Sequence, residues 1–154
     1  IRASRETTMA LVLGAGYTSM VLASILSDQF SIIPVLNQSI PEIERQISRY
    51  AMDGQTSSVR AVEIHVVELR DNSERLVDEF THEVMHAIEE DGAHFIIPGC
   101  TGMVGIFEKV QEVANQYDVP VVDQNTALVK ICELFLSLNL VHSKLSFPFP
   151  KDWN

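Results

Sequence analysis

The chain alternates short apolar runs with stretches of helical period, and this pattern restricts its fold more than any other feature. Residues 9–13 are apolar and end at Gly14-Ala15-Gly16, and residues 18–26 follow with helical character. Residues 30–36 form the next apolar run. Ser39-Ile40-Pro41-Glu42 reads as a capping box, after which Ile40, Ile43, Ile47 and Tyr50 recur at helical spacing. Asp53-Gly54 marks a loop. Residues 59–67 have strand character, alternating at Val62, Ile64 and Val66. Leu76, Val77, Phe80, Val84, Ala87 and Ile88 share one helix face. Residues 95–97 read as a buried strand, residues 106–117 as an amphipathic helix and residues 119–122 as a short strand. Leu128, Ile131, Cys132, Phe135 and Leu138 line a last helix. Repetition of strand then helix predicts an α/β fold with a parallel sheet covered on both faces. The sheet should contain residues 30–36, 59–64, 95–97 and 119–122. The last helix is expected to pack away from it, against residues 11–13. The Pro-rich residues 147–150 should be extended.

The chain has 154 residues, of which 46% are hydrophobic, enough for a packed core. A net charge of −10 opposes binding to nucleic acid or to anionic membranes, both of which select for Lys and Arg. No apolar run reaches spanning length, and the first residues lack a signal-peptide core. The two cysteines, Cys100 and Cys132, match neither a disulfide framework nor a zinc pattern, which fits a reducing cytoplasm.

Ligands of open parallel sheets bind beyond the carboxyl ends of strands. Four turns qualify: Gly14-Ala15-Gly16-Tyr17, Asn37-Gln38-Ser39, Gly99-Cys100-Thr101-Gly102 and Asp123-Gln124-Asn125. Cys100 follows an apolar strand, precedes a helical pattern and is flanked by two glycines, which would let a ligand approach the backbone. A helix N-terminus at that point would favour thiolate, the reactive form, and Thr101 adds a hydroxyl. The competing reading is a small buried hydrophobe, since free cysteine is often buried. Cys132 lies on the apolar face of the last helix and reads as inert core. Gly14-Ala15-Gly16 is a poor dinucleotide fingerprint, because Ser19 stands at the third glycine position and the next strand ends at Asn37 rather than at an acid. Asp78, His82 and His86 stand four apart on one helix, but no further ligand joins them, so they read as a solvated face and no metal is expected. Lone His65, His94 and His142 carry no signal.

Asp91-Gly92-Ala93 through Ile96-Ile97-Pro98-Gly99-Cys100-Thr101-Gly102-Met103 resembles the second-cysteine segment of the Asp/Glu/hydantoin racemase family. Val119 to Asp123, with Ala127, Val129 and Lys130, is similar to the segment that follows it. Leu138-Asn139-Leu140, His142-Ser143-Lys144 and Phe147-Pro148 resemble the ending of the hydantoin and allantoin racemase branch. Ala3 to Glu6, Phe30 to Ile33, Ser39 with Pro41, and Ser58 to Ala61 fit the same branch. The resemblance implies a cofactor-independent racemase or epimerase. Two cysteines flank the substrate's stereogenic carbon; one removes the proton and the other returns one to the opposite face. It implies Cys100 as an acid/base group, with Thr101, Gly102, Met103, Gly16 and Val35 around the substrate. The substrate would be a small molecule, a hydantoin, allantoin or an amino acid, and the protein a homo-oligomer.

Each lobe of the family is an α/β sandwich, with the site between lobes. By this resemblance residues 30–122 form a second lobe, and residues 1–29 with 123–154 a remnant of the first that should expose apolar surface. The family's first cysteine lies upstream of the segment matching Ala3 to Glu6. The chain is therefore expected to be the C-terminal part of a longer protein and, alone, inactive as a racemase. Tyr17 stands where the branch usually has an acidic residue, and Pro34-Val35 where it tends to have two ligand-facing threonines. The last two departures leave the substrate open, and the missing first cysteine leaves open a one-cysteine relative resembling arylmalonate decarboxylase, or a degenerate binding or assembly protein.

Overall fold

The computed structural model describes residues 1–64, 73–103 and 105–151. The helices are α1 (Arg2–Glu6), α2 (Ala15–Leu26), α3 (Ile40–Arg49), α4 (Ser73–Glu89), α5 (Phe107–Ala114) and α6 (Gln124–Ser137). The strands are β1 (Phe30–Ile33), β2 (Thr56–Val59) and β3 (Ile96–Pro98). Their order is β2-β1-β3, with both pairings parallel. A parallel bridge from Ile96 to Val121 adds the fourth segment as an edge, through Ile96 N–H to Pro120 C=O and Val122 N–H to Ile96 C=O. The parallel α/β fold read from the sequence is therefore the one observed.

Neighbouring residues of each strand point to opposite faces, as a period of two requires. Ile33, Ile96 and Val121 face one way, onto Leu76, Phe80, Val84 and Ala87 of α4 and Val110 and Ala114 of α5. Phe30, Ile32, Ile97 and Val122 face the other way, onto Met20 and Ala23 of α2 and Ile47 of α3. Each of these side chains contributes roughly 1.5–3 kcal/mol by leaving water, less for the alanines. Helix α2 packs on this second face and also against α6. At the sheet edge, Arg60 joins Asp91, Glu83 and Glu90, tying the exit of β2 to the end of α4.

Several expectations shift. Residues 9–13 do not form a strand. The Val12 N–H donates to His142 Nε2 at 2.8 Å, and its carbonyl accepts from Arg5 Nε at 2.8 Å, so side chains take the groups that a ladder would use. The strand read as 59–67 begins earlier, at Thr56. Beyond Val59 the N–H groups of Arg60, Val62 and Ile64 still bond to Ile32, Pro34 and Val35. His65, Val66 and Val67 lie outside the described residues. The capping box is absent. A 3-10 turn over Asn37–Ser39 leaves Ser39 already helical with no side-chain cap, and Glu42 turns instead to Arg45 and Gln46. Helix α6 packs on α2, and Cys132 is half-buried rather than core. The tail is irregular, with Phe147 covered by the guanidinium groups of Arg2 and Arg5. Val129, Leu134, Leu136 and Leu138 of α6 and its C-cap are exposed, the apolar surface expected there. No helix of the described residues is long and apolar enough to cross a membrane.

Candidate active site

Gly99 carries the chain out of β3, and its N–H donates to the Ile33 carbonyl at 2.7 Å. A Cβ at Gly99 would stand 2.7 Å from both Cα and N of Pro34. This glycine is therefore required by the approach of two backbones, a different reason from the ligand access anticipated in the sequence. The chain then turns at Cys100, whose carbonyl accepts from Met103 N–H at 3.2 Å. Gly102 N–H points at Cys100 Sγ from 3.4 Å and helps fix the direction of the thiol. Helix α5 does not follow at once. It begins at Phe107, so Cys100 is not at its N-terminus.

Two other helices start beside Cys100. Asp123 caps α6, accepting from the N–H groups of Asn125 at 3.0 Å and Thr126 at 3.3 Å and from the Thr126 hydroxyl. The Thr126 hydroxyl bond, aided by those N–H groups, holds the Asp123 carboxyl below the usual carboxylate range. Asn125 Nδ2 donates to the Thr101 carbonyl at 3.0 Å, fastening the cysteine loop to α6. Helix α2 begins at Gly14-Ala15-Gly16 with no side-chain cap, and it faces the same space.

Between these elements lies a cleft of about 330 Å³. Cys100, Thr101 and Gly16 line it together, with Gly99, Gln46 and Gln124 completing its polar and backbone surface and Met20, Ile32, Ile43 and Ile97 its apolar one. The volume suits a small ring. Three residues anticipated at the site do not line this cleft, although Gly102 bonds to the Cys100 sulfur and Met103 borders a smaller pocket with Cys100 and Thr101. Gly102 is exposed in the turn. Met103 and Val35 are buried in the core under α4 and α5, because the turn after Cys100 and the β1 extension both direct them to the other face of the sheet. Tyr17 stacks on Tyr50, with ring centroids 4.2 Å apart, and does not line the cleft. His82 and His86 meet edge-on, with their Nε2 atoms 3.1 Å apart. The sequence marks Asp123-Gln124-Asn125 as a strand-end turn but gives no sign that Gln124 is the member facing inward. Gln46 was legible only as a position beside the apolar stripe of α3.

The model of the Asp/Glu/hydantoin racemase family matches residues 1–132. The chain belongs to the Asp/Glu/hydantoin racemase family. Within it, the chain is 32% identical to a hydantoin racemase of Rhizobium meliloti over 152 residues, 98% of this chain and 62% of that protein. A hydantoin racemase of Pseudomonas sp. (strain NS671) is 30% identical over 98% of this chain and 60% of its own. The chain thus spans about three-fifths of the length of these relatives. Crystal structure comparison gives the same kinship: allantoin racemase from Pseudomonas fluorescens superposes with a TM-score of 0.88 at 29% identity, over 97% of this chain and 63% of that one. Allantoin racemase from Klebsiella pneumoniae gives 0.89 at 26% identity, over 98% and 61%.

Proposed function

We propose that the intact protein is a cofactor-independent racemase of hydantoin-like rings, with Cys100 as one of its two acid/base groups. One observation carries the reading: Cys100 lines a cleft of about 330 Å³ at the carboxyl end of a parallel sheet. In the forward direction the Cys100 thiolate takes the proton from the ring's stereogenic carbon. The C–H bond breaks, an S–H bond forms, and the electron pair moves into the adjacent ring carbonyl as an enolate. A second acid on the opposite face returns a proton to that carbon; a cysteine upstream of Ala3, as in the family, is the proposed partner. The planar ring stabilises the enolate, so no cofactor has to accept the charge. Backbone N–H groups of the Cys100 turn and of the start of α2 are the proposed donors to the developing oxyanion. Thr101 and Gly16 are proposed to contact the ring.

The division into residues 30–122 and residues 1–29 with 123–154 is likewise proposed as two lobes, with α2 at the junction. The exposed apolar side of α6 supports association with further protein, a second copy of the chain included. The test follows loss of optical rotation of hydantoins, allantoin, aspartate and glutamate by the intact protein and its Cys100→Ser variant. Racemisation of a ring substrate by wild type, reduced about 100- to 10,000-fold in the variant, is the expected result. Equal rates would refute the role of Cys100.

A further inference from the structure

Gln124 opens α6 and is 7% exposed, yet its carboxamide has no hydrogen-bond partner among the described residues. Its neighbours are committed. Asp123 accepts the N–H groups of Asn125 and Thr126, and Asn125 donates to Thr101. Ser19 Oγ and Thr81 Oγ1 also lack partners, but they are sealed in the interior. Gln124 instead lines the Cys100 cleft. The amide atoms of Gln124 are not sealed from solvent, and what exposure this largely buried residue keeps lies where it lines the cleft, so a bound ligand can supply the partners that the protein does not. Ala15 and Gly16, at the start of α2, line the same cleft, and their N–H groups donate to no described group. Apart from the Cys100 thiol, the side chains lining the cleft carry no ionisable group. A carboxamide presents a donor beside an acceptor, and its complement is a neighbouring C=O and N–H on a neutral ligand.

We infer that Gln124 is a specificity-determining residue that reads the amide edge of a neutral ring bound in the Cys100 cleft. The inference rests on the reading of that cleft as the reaction site, and its test separates the two. The intact protein is treated with iodoacetamide, and alkylation of Cys100 is followed by peptide mass spectrometry against rising hydantoin or 1,3-dimethylhydantoin, which lacks ring N–H groups. Hydantoin should protect Cys100 in wild type at lower concentration than the dimethyl ring. Gln124→Met, similar in volume and unbranched, should raise the protecting concentration of hydantoin about tenfold. It should raise that of the dimethyl ring by a smaller factor, because that ring keeps its carbonyls but has no N–H to offer. Without ligand the variant should melt no lower than wild type, since the amide it removes bonds to no described group of the protein. Gln124→Leu is expected to behave alike. Absence of protection by hydantoin in wild type overturns the site and this inference together. Equal protection of wild type and Gln124→Met overturns the inference alone, and so does a variant that melts lower, which would assign Gln124 a structural role.

Discussion

Gly99→Ala is the most direct probe of what holds the cysteine loop. The added methyl would meet Pro34 Cα and N at 2.7 Å and Ile33 C at 3.1 Å. Carbon atoms in comfortable contact stand about 3.5–4.0 Å apart, so β1 and β3 must separate by roughly 1 Å. Backbone on both sides cannot rotate away as a flexible side chain would. The overpacking costs about 1–3 kcal/mol. The opening also lengthens the Gly99 N–H to Ile33 hydrogen bond, now 2.7 Å, for another 0.5–1.5 kcal/mol or about that. A destabilisation of about 2–4 kcal/mol follows. With a urea m-value of about 2 kcal/mol/M, the unfolding midpoint should fall by about 1–2 M. Because the movement occurs one residue before Cys100, the alkylation rate of that thiol should change as well. A variant unfolding within about 0.5 kcal/mol of wild type would refute the account of the β1–β3 approach.

Asp123→Ala removes the cap of α6 and should cost about 1 kcal/mol at neutral pH, measured by urea unfolding. The folded carboxyl titrates below its ordinary range, so this stabilisation is present above about pH 4 and disappears as pH falls through the lowered value; below it, wild type and variant should converge. Burial, and then the charge of Arg5, hold His142 below the ordinary histidine value, and its Nε2 accepts the Val12 N–H. The unfolded chain therefore takes up the proton first as pH falls below about 6.5, and stability should decline from there toward acid pH. His142→Asn should show a shallower decline over that window in unfolding midpoints measured against pH.

The sheet was legible because both of its faces are buried and its strands therefore read as continuous apolar runs: Ile32 and Ile33, and likewise Ile96 and Ile97, divide between two core faces. The stripe Leu76, Phe80, Val84 and Ala87 marked α4 by a period that burial enforces. Residues 9–13 have the composition of a strand, but a strand exists only beside a partner, and here Arg5 and His142 take the Val12 backbone groups instead. The capping box failed on geometry invisible in the sequence: the 3-10 turn before α3 had already set Ser39 in the helical region. At the site, Cys100 stood out through its strand-end position and Gly16 through its turn. Val35 and Met103 were placed by resemblance, yet both turn to the opposite core. Gln124 was legible only as a member of the Asp123-Gln124-Asn125 turn, since a glutamine at a helix start is ordinarily solvated, and only the convergence of α2, α6 and the cysteine loop encloses it.

Solvent deuterium incorporation at the stereogenic carbon tests the central claim most directly. Each enantiomer of a 5-substituted hydantoin is incubated separately with the intact protein in deuterium oxide, and exchange is followed by NMR in wild type and Cys100→Ser. The account predicts exchange from both enantiomers in wild type. In Cys100→Ser, exchange from at least one enantiomer should fall by about 100-fold or more, because serine is the weaker proton carrier in that position. Undiminished exchange from both enantiomers in the variant would contradict it, and Cys100 would not be the acid/base group.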